Sequence, residues 1–222
     1  MTLQHPLLAA AGVAHGFGTR TAESPDRVQR PCQVHGTRVA AATADGVEPE
    51  EADAVWTAEP GIAVGVVTAD CVPVLVADPG TGLVAAVHAG WRGLAAGVIE
   101  AALEVLRARG ADTARLVAAV GPCVGPCCYE VDQPVLAVLR ARFPDDLDRA
   151  LAPTRPGHAR VDLGALALAD LLRRLDPARA GSLEGACTAC DAVRFHSYRR
   201  DGARSGRLLH WVQSPSGGPS GG

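Results

Sequence analysis

A chain of 222 residues, 48% hydrophobic and 20% charged, carries enough apolar material for one well-buried core, which excludes a disordered chain and leaves little room for two domains of ordinary size. A net charge of -3 gives no general electrostatic pull toward nucleic acid, and 4% aromatic residues are too few for stacking platforms along a single strand. All 21 basic residues are arginine, so lysine Schiff-base chemistry and a P-loop lysine are excluded.

The first apolar run, 6–14, has no basic segment before it and continues into His15-Gly16-Phe17-Gly18-Thr19-Arg20, which is no convincing cleavage site. It reads as a buried first strand rather than a signal-peptide core. No run reaches the roughly 18 apolar residues that span a bilayer. Residues 61–68 (GIAVGVVT) are β-branched and bounded by glycine, as in a buried strand. Residues 73–77 (PVLVA) and 83–88 (LVAAVH) flank the turn sequence Asp78-Pro79-Gly80-Thr81-Gly82 and predict a hairpin. A helix is predicted over 94–109, with Leu94, Val98, Ala102, Val105 and Leu106 on one face and Gly110 closing it. A strand over 115–120 follows, then a helix over 134–143 capped by Asp132, and an amphipathic helix over 161–175. Strands over 193–198 and 208–212 close the series. The tail 214–222 (SPSGGPSGG) has nothing to bury and is expected to be disordered, leaving a single α/β catalytic domain over 1–213.

Seven cysteines, an odd number with two adjacent, do not make a secreted disulfide framework; free thiols or metal ligands in a reducing cytoplasm fit better. Three segments place reactive residues beside glycine or at the end of a predicted apolar strand: Gln33-Val34-His35-Gly36, Thr68-Ala69-Asp70-Cys71, and His88 through Gly93. His35, Cys71 and His88 together give three ligands and an open fourth position, the ligand count of a catalytic zinc site. Singly, each also fits a bland role: Cys71 as core packing, His35 as a satisfied loop histidine. Arg92 sits where a strand gives way to a helix, a setting that favours an anion. Asp70, the carboxylate nearest in sequence, suits either proton transfer or the orientation of a ligand histidine. Cys187-Thr188-Ala189-Cys190 is a CxxC without a thioredoxin-like context, and Cys123, Cys127 and Cys128 line a Gly-Pro loop without histidine. Both are read as ordinary structure, with metal or redox roles as the sharper alternative. Tyr129 and Glu130 follow that loop toward the pocket.

The segments QVHG, TADCVPVLV, VAAVHAGWRGLAAGVIE, VGPCVGPCCYEV and SYRRDGARSGR, in that order, resemble the bacterial polyphenol oxidase or laccase-domain family of YfiH-like proteins. The resemblance runs from His15 over most of the chain. It implies a layered α/β fold with mixed sheets, in a superfamily shared with cysteine-hydrolase-like toxins. It also implies zinc-dependent phosphorolysis of purine nucleosides (adenosine, inosine, guanosine, methylthioadenosine) with adenosine deaminase activity. The family's metal ligands carry over onto His35, Cys71 and His88, with Asp70 beside them in the catalytic set. Nucleoside and phosphate are then the partners, with neither nucleic acid nor membrane. Arg20, Arg92 and Arg199 suit phosphate through bidentate guanidinium pairing, and Tyr198 adds a wall. A copper-dependent polyphenol oxidase, the older family description, is disfavoured by seven histidines without a His-x-His pair and a lone initiator Met. A weakly active or non-enzymatic member is the other alternative. It rests on a departure from the family: only TAESPDRVQRPC separates Arg20 from Gln33, and the family's Asn-Leu-Gly loop and following helix are absent. A reduced wall implies a more open pocket.

Overall fold

The computed structural model describes residues 2–183 and 185–216. The apolar hairpin expected from 73–88 is its centre. Strands Val72–Asp78 and Leu83–Ala89 pair antiparallel with Val74 opposite Val87, and every residue of both is buried. They lie in the middle of a seven-stranded mixed sheet, ordered Ala180–Ser182, Val117–Val120, Val72–Asp78, Leu83–Ala89, Ala54–Thr57, Val39–Ala42, Val47–Glu48. The 180–182 and 117–120 strands are parallel, as are 39–42 and 54–57.

Why these strands are apolar throughout follows from what covers them. The period of two sends Val74, Val76, Ala85 and Val87 to one face, against Ile99, Leu106, Leu139 and Leu166 of helices Val98–Ala108, Gln133–Arg142 and Leu163–Leu172. It sends Leu75, Ala77, Val84 and Ala86 to the other face, against Phe17, Val64, Val66 and Val212. Most of that second partner is a four-stranded sheet ordered His15–Gly16, Leu208–Gln213, Ala63–Thr68, Val28–Gln29. Each fully buried Val, Leu or Phe side chain contributes about 1.5–3 kcal/mol relative to exposure, so both layers are held firmly to the central sheet. A small sheet of Glu130–Asp132, His158–Val161 and Leu151–Pro153 lies beside the helices. The layered α/β architecture with mixed sheets is therefore the one expected. No helix among the described residues is long and apolar enough to cross a membrane.

Five local expectations are corrected. Residues 6–14 do not form a strand: Pro6–Ala10 is a short helix, with the His5 ring accepting the Leu7 N–H at 3.2 Å and Pro6 in the first turn, where a missing N–H costs nothing. The helix over 94–109 is two helices, Trp91–Ala96 and Val98–Ala108, because Gly97 adopts φ +93° and ends the first. Residues 193–197 form a turn and irregular chain, with Val193 largely exposed, before a short helix Tyr198–Asp201 begins behind Ser197. The helix expected over 161–175 spans Leu163–Leu172, since Asp162 caps it by accepting the Ala165 N–H at 2.8 Å. Ser214, at the start of the expected tail, is buried and donates to the Gly82 carbonyl at 2.9 Å; residues 217–222 of that tail lie outside the described residues.

His210 ties the end of strand Ala63–Thr68 to the chain just after His15–Gly16. Its ring accepts the Gly18 N–H at 3.2 Å and meets Thr68 Oγ1 at 2.9 Å, wholly out of water. Burial, helped by the nearby His88, pushes its pKa down to about 3. The folded value lies below the unfolded one, so the stabilisation is complete above about pH 6.5 and is lost as pH falls toward 3, at about 1.4 kcal/mol per unit. An NMR titration is expected to show the His210 ring neutral until the fold itself is lost; a midpoint near 6.5 in the folded protein would contradict this.

Candidate active site

The three segments meet at one end of the central hairpin. Cys71 closes the turn between strands Ala63–Thr68 and Val72–Asp78, and His88 stands opposite Pro73 near the end of Leu83–Ala89. His35 comes from the loop before Val39–Ala42. One ligand atom from each of His35, Cys71 and His88 lies within 4.8 Å of the others. Cys71 Sγ is 4.0 Å from His35 Nε2, and the two imidazole rings stand edge to face with centroids 4.8 Å apart. His35 is exposed, Cys71 half-buried and His88 buried.

Two backbone features allow this convergence. His35 and Asp70 both hold positive φ, +61° and +96°, a region costly for residues with a Cβ and found where surrounding structure over-determines the conformation. Gly90 leaves the space between the ligands free: a Cβ there would lie 2.9 Å from His35 Cδ2 and 3.2 Å from Cys71 Sγ.

What fixes His35 and His88 is a residue that sequence reasoning missed. Asp53 is fully buried just before strand Ala54–Thr57. Its carboxylate accepts the backbone N–H of Val34 at 3.2 Å, of His35 at 2.8 Å and of Gly36 at 2.6 Å, and contacts His88 Nδ1 at 2.8 Å. One side chain thus holds the strained His35 loop and orients the His88 ring, leaving Nε2 as the available ligand atom. Burial works against ionisation of Asp53, but the His88 ring and the Gly36 and His35 N–H groups outweigh it and hold the carboxyl below its usual range. Burial likewise opposes the Cys71 thiolate, yet His35 and His88 draw the thiol down to about 7. His88, opposed by burial, is raised to about 9 by Asp53 and Cys71. Two imidazole nitrogens and a readily ionised thiol, one ring braced by a carboxylate, are a donor set that fits zinc or a similar borderline divalent ion.

The ligands line a cleft of about 920 Å³ together with Asp70, Arg92, Tyr129, Tyr198, Arg199 and Arg207, among others. Arg92, Tyr198 and Arg199 thus line the same cleft as His35, Cys71 and His88. Arg92 lies over the Trp91 ring at 4.6 Å; Arg199 lies over Tyr129 at 5.2 Å and donates to the Glu130 carbonyl at 3.0 Å. Burial pushes the Tyr129 hydroxyl up to about 12, so it stays protonated as a donor. Arg20 is placed elsewhere: it does not line the cleft, and it donates to the Ala192 carbonyl at 3.2 Å. Glu130 pairs outward with Arg155 at 3.1 Å. Asp70 borders the cleft but turns its carboxylate to the 188–199 segment, accepting from Thr188 Oγ1 at 2.6 Å, Ser197 Oγ at 3.0 Å and the Arg199 N–H at 2.6 Å. The histidine-orienting carboxylate is Asp53 instead. The short segment before QVHG contributes wall of its own, since Pro31, Cys32 and Gln33 line the cleft. Gln33 is fixed there by paired bonds to Val67, 2.7 and 2.8 Å long.

The chain is similar to several known proteins. A family model described as multi-copper polyphenol oxidoreductase laccase matches residues 15–214. The chain is 46% identical over 190 residues to a purine nucleoside phosphorylase of Streptomyces coelicolor, covering 85% of this chain and 75% of that protein. It is 36% identical over 194 residues to an adenosine deaminase from an unknown prokaryotic organism, covering 83% and 74%. The crystal structure of YlmD from Geobacillus stearothermophilus superimposes with a TM-score of 0.81 at 27% identity, covering 95% of this chain and 94% of that one.

Proposed function

The chain belongs to the family described as multi-copper polyphenol oxidoreductase laccase, and from that premise we propose that it is a zinc-dependent purine nucleoside phosphorylase with adenosine deaminase activity, working in the cytoplasm. The observation that carries this reading is the convergence of His35, Cys71 and His88 in a cleft that also holds Arg92 and Arg199. Relatives named purine nucleoside phosphorylase and adenosine deaminase support it. A copper oxidase of phenols has less support. Among the described residues the groups able to hold a metal are one His-Cys-His set and one of four cysteines, and neither offers the several histidine pairs of a multicopper centre.

In this reading His35, Cys71 and His88 hold the ion, which supplies Lewis acidity for polarising the substrate and for activating water in deamination. Arg92 and Arg199 hold the anionic phosphate by guanidinium pairing; as its oxygen bonds to the anomeric carbon, the glycosidic C–N bond breaks and the purine leaves with the electron pair and takes up a proton. Helix Trp91–Ala96 spans only six residues, so the guanidinium of Arg92, not the helix dipole, is assigned the task. Tyr129 and Tyr198 flank the nucleoside. Asp70 acts as a positioning residue, fixing the backbone that presents Tyr198 and Arg199 to the cleft.

Adenosine distinguishes the two activities. With inorganic phosphate it should yield adenine and ribose 1-phosphate; without phosphate it should yield inosine and ammonia. Arg92→Ala is expected to weaken phosphorolysis by about 2–4 kcal/mol in transition-state binding, while deamination, which uses no phosphate, changes far less. Equal loss of both would remove Arg92 from phosphate binding and point to damage transmitted through His88.

A further inference from the structure

Far from the triad in sequence, two cysteine pairs come together. Sγ atoms of Cys127, Cys128, Cys187 and Cys190 all lie within 4.8 Å of one another. Cys190 Sγ is 3.4 Å from that of Cys127 and 3.3 Å from that of Cys128. We propose that these four cysteines form a second, structural zinc site that staples the 123–128 loop to the 187–200 segment. This inference is independent of the function assigned to the His35 cluster.

The geometry favours one ion over other uses of the thiols. Four thiolates on a single tetrahedral zinc, with Zn–S near 2.3 Å, stand about 3.8 Å apart, which is the scale of this cluster. A disulfide could join Cys190 to one partner only and would leave two thiols crowded beside it. The four sulfurs gather around one point and are too close together to enclose a multi-iron cluster. The Gly125 N–H donates to Cys187 Sγ at 3.2 Å, the kind of backbone support that orients a metal-bound thiolate. Gly125 also fits the turn tightly: a Cβ there would lie 3.2 Å from Cys187 Cβ and 3.5 Å from Cys127 Sγ. The two strands of chain are already in register, with Cys123 bridged to Cys187 and the Thr188 N–H donating to the Cys123 carbonyl at 2.9 Å.

Such a staple has a reason to exist. The stretch from Cys187 to Ser197 has no regular strand; among its apolar side chains Phe195 is buried and Val193 largely exposed. Little apolar burial therefore opposes its local opening. Yet this stretch supplies Thr188 and Ser197 to Asp70 and leads into Tyr198 and Arg199 of the cleft. A metal bound by both cysteine pairs adds its binding free energy to the folded arrangement and holds that cleft wall in place.

The test uses Cys71→Ala, in which the first cluster has lost its thiolate, purified with a thiol reductant. Elemental analysis is expected to find about one zinc per chain retained, and cobalt in its place should give the sulfur-to-metal charge-transfer absorption of a tetrahedral tetrathiolate. Cys190→Ser in the otherwise native chain should lose about one zinc relative to wild type and show faster proteolysis within 187–200. A Cys71→Ala protein that takes up no zinc when zinc is supplied overturns the proposal. So does peptide mapping of the native protein that finds Cys190 in a disulfide with Cys127 or Cys128.

Discussion

Replacing Asp53 with alanine is expected to be the most damaging single change in this protein. The carboxylate is fully buried and serves three backbone N–H groups and the His88 ring at once. Removing it leaves the buried His88 ring and three backbone N–H groups without their acceptor, at about 1–3 kcal/mol for each group left unsatisfied, and frees a His35 loop held at positive φ. A protein with ordinary marginal stability does not survive several such losses, so Asp53→Ala should be largely unfolded. Asp53→Asn keeps the shape and one acceptor oxygen but sets an NH2 group against donors. It should fold with reduced stability and bind metal about 10–100-fold more weakly, because His88 loses the partner that sets its tautomer and orientation. Denaturant unfolding and zinc titration measure the two effects. Native stability together with native zinc affinity in both variants would show that Asp53 is not the keystone of the site.

The second large effect is expected from Cys71→Ala. Cys71 is half-buried in a turn, so the shortened side chain should leave the fold largely intact. Two imidazoles alone hold zinc far less well than two imidazoles and a thiolate, and the ion is needed for both proposed reactions. Turnover of adenosine should fall by about 10³-fold or more, the scale of losing a principal electrostatic group. If the cysteine-rich site retains its own ion, total zinc should halve rather than vanish, which separates the two sites in one sample. Undiminished turnover would move the chemistry away from Cys71.

What was legible in the sequence, and what was not, follows from how each feature is built. His35 and His88 stood out for the glycines near them and Cys71 for its place just after an apolar strand, and the structure gathers the three at one place. Asp53 carries no such mark. It lies in an unremarkable run, Glu51-Ala52-Asp53-Ala54, and gains its role only through sheet register: Ala54 pairs with Val87, and the His88 N–H donates to the Asp53 carbonyl at 2.7 Å. Asp70 misled for the converse reason. Adjacency to Cys71 suggested contact with the ligands, but its positive φ turns the side chain toward Thr188 and Ser197. The four-cysteine cluster was invisible as a unit because each half, taken alone, lacks partners; the halves meet through tertiary contacts such as the backbone β-bridge between residues 123 and 187. The break at Gly97 was masked by helix-periodic residues on both sides of it, and 193–198 looked strand-like without an adjacent strand to pair with.

A zinc centre at His35, Cys71 and His88 that serves nucleoside phosphorolysis makes adenine formation depend on both bound zinc and phosphate. The most direct measurement follows phosphate-dependent formation of adenine from adenosine while zinc is returned to chelator-stripped protein, in wild type and in Cys71→Ala. Wild-type activity should rise with zinc occupancy and vanish without phosphate, while Cys71→Ala stays inactive at every zinc level. Adenine formation that is independent of zinc, or equal in the two proteins, would contradict the account.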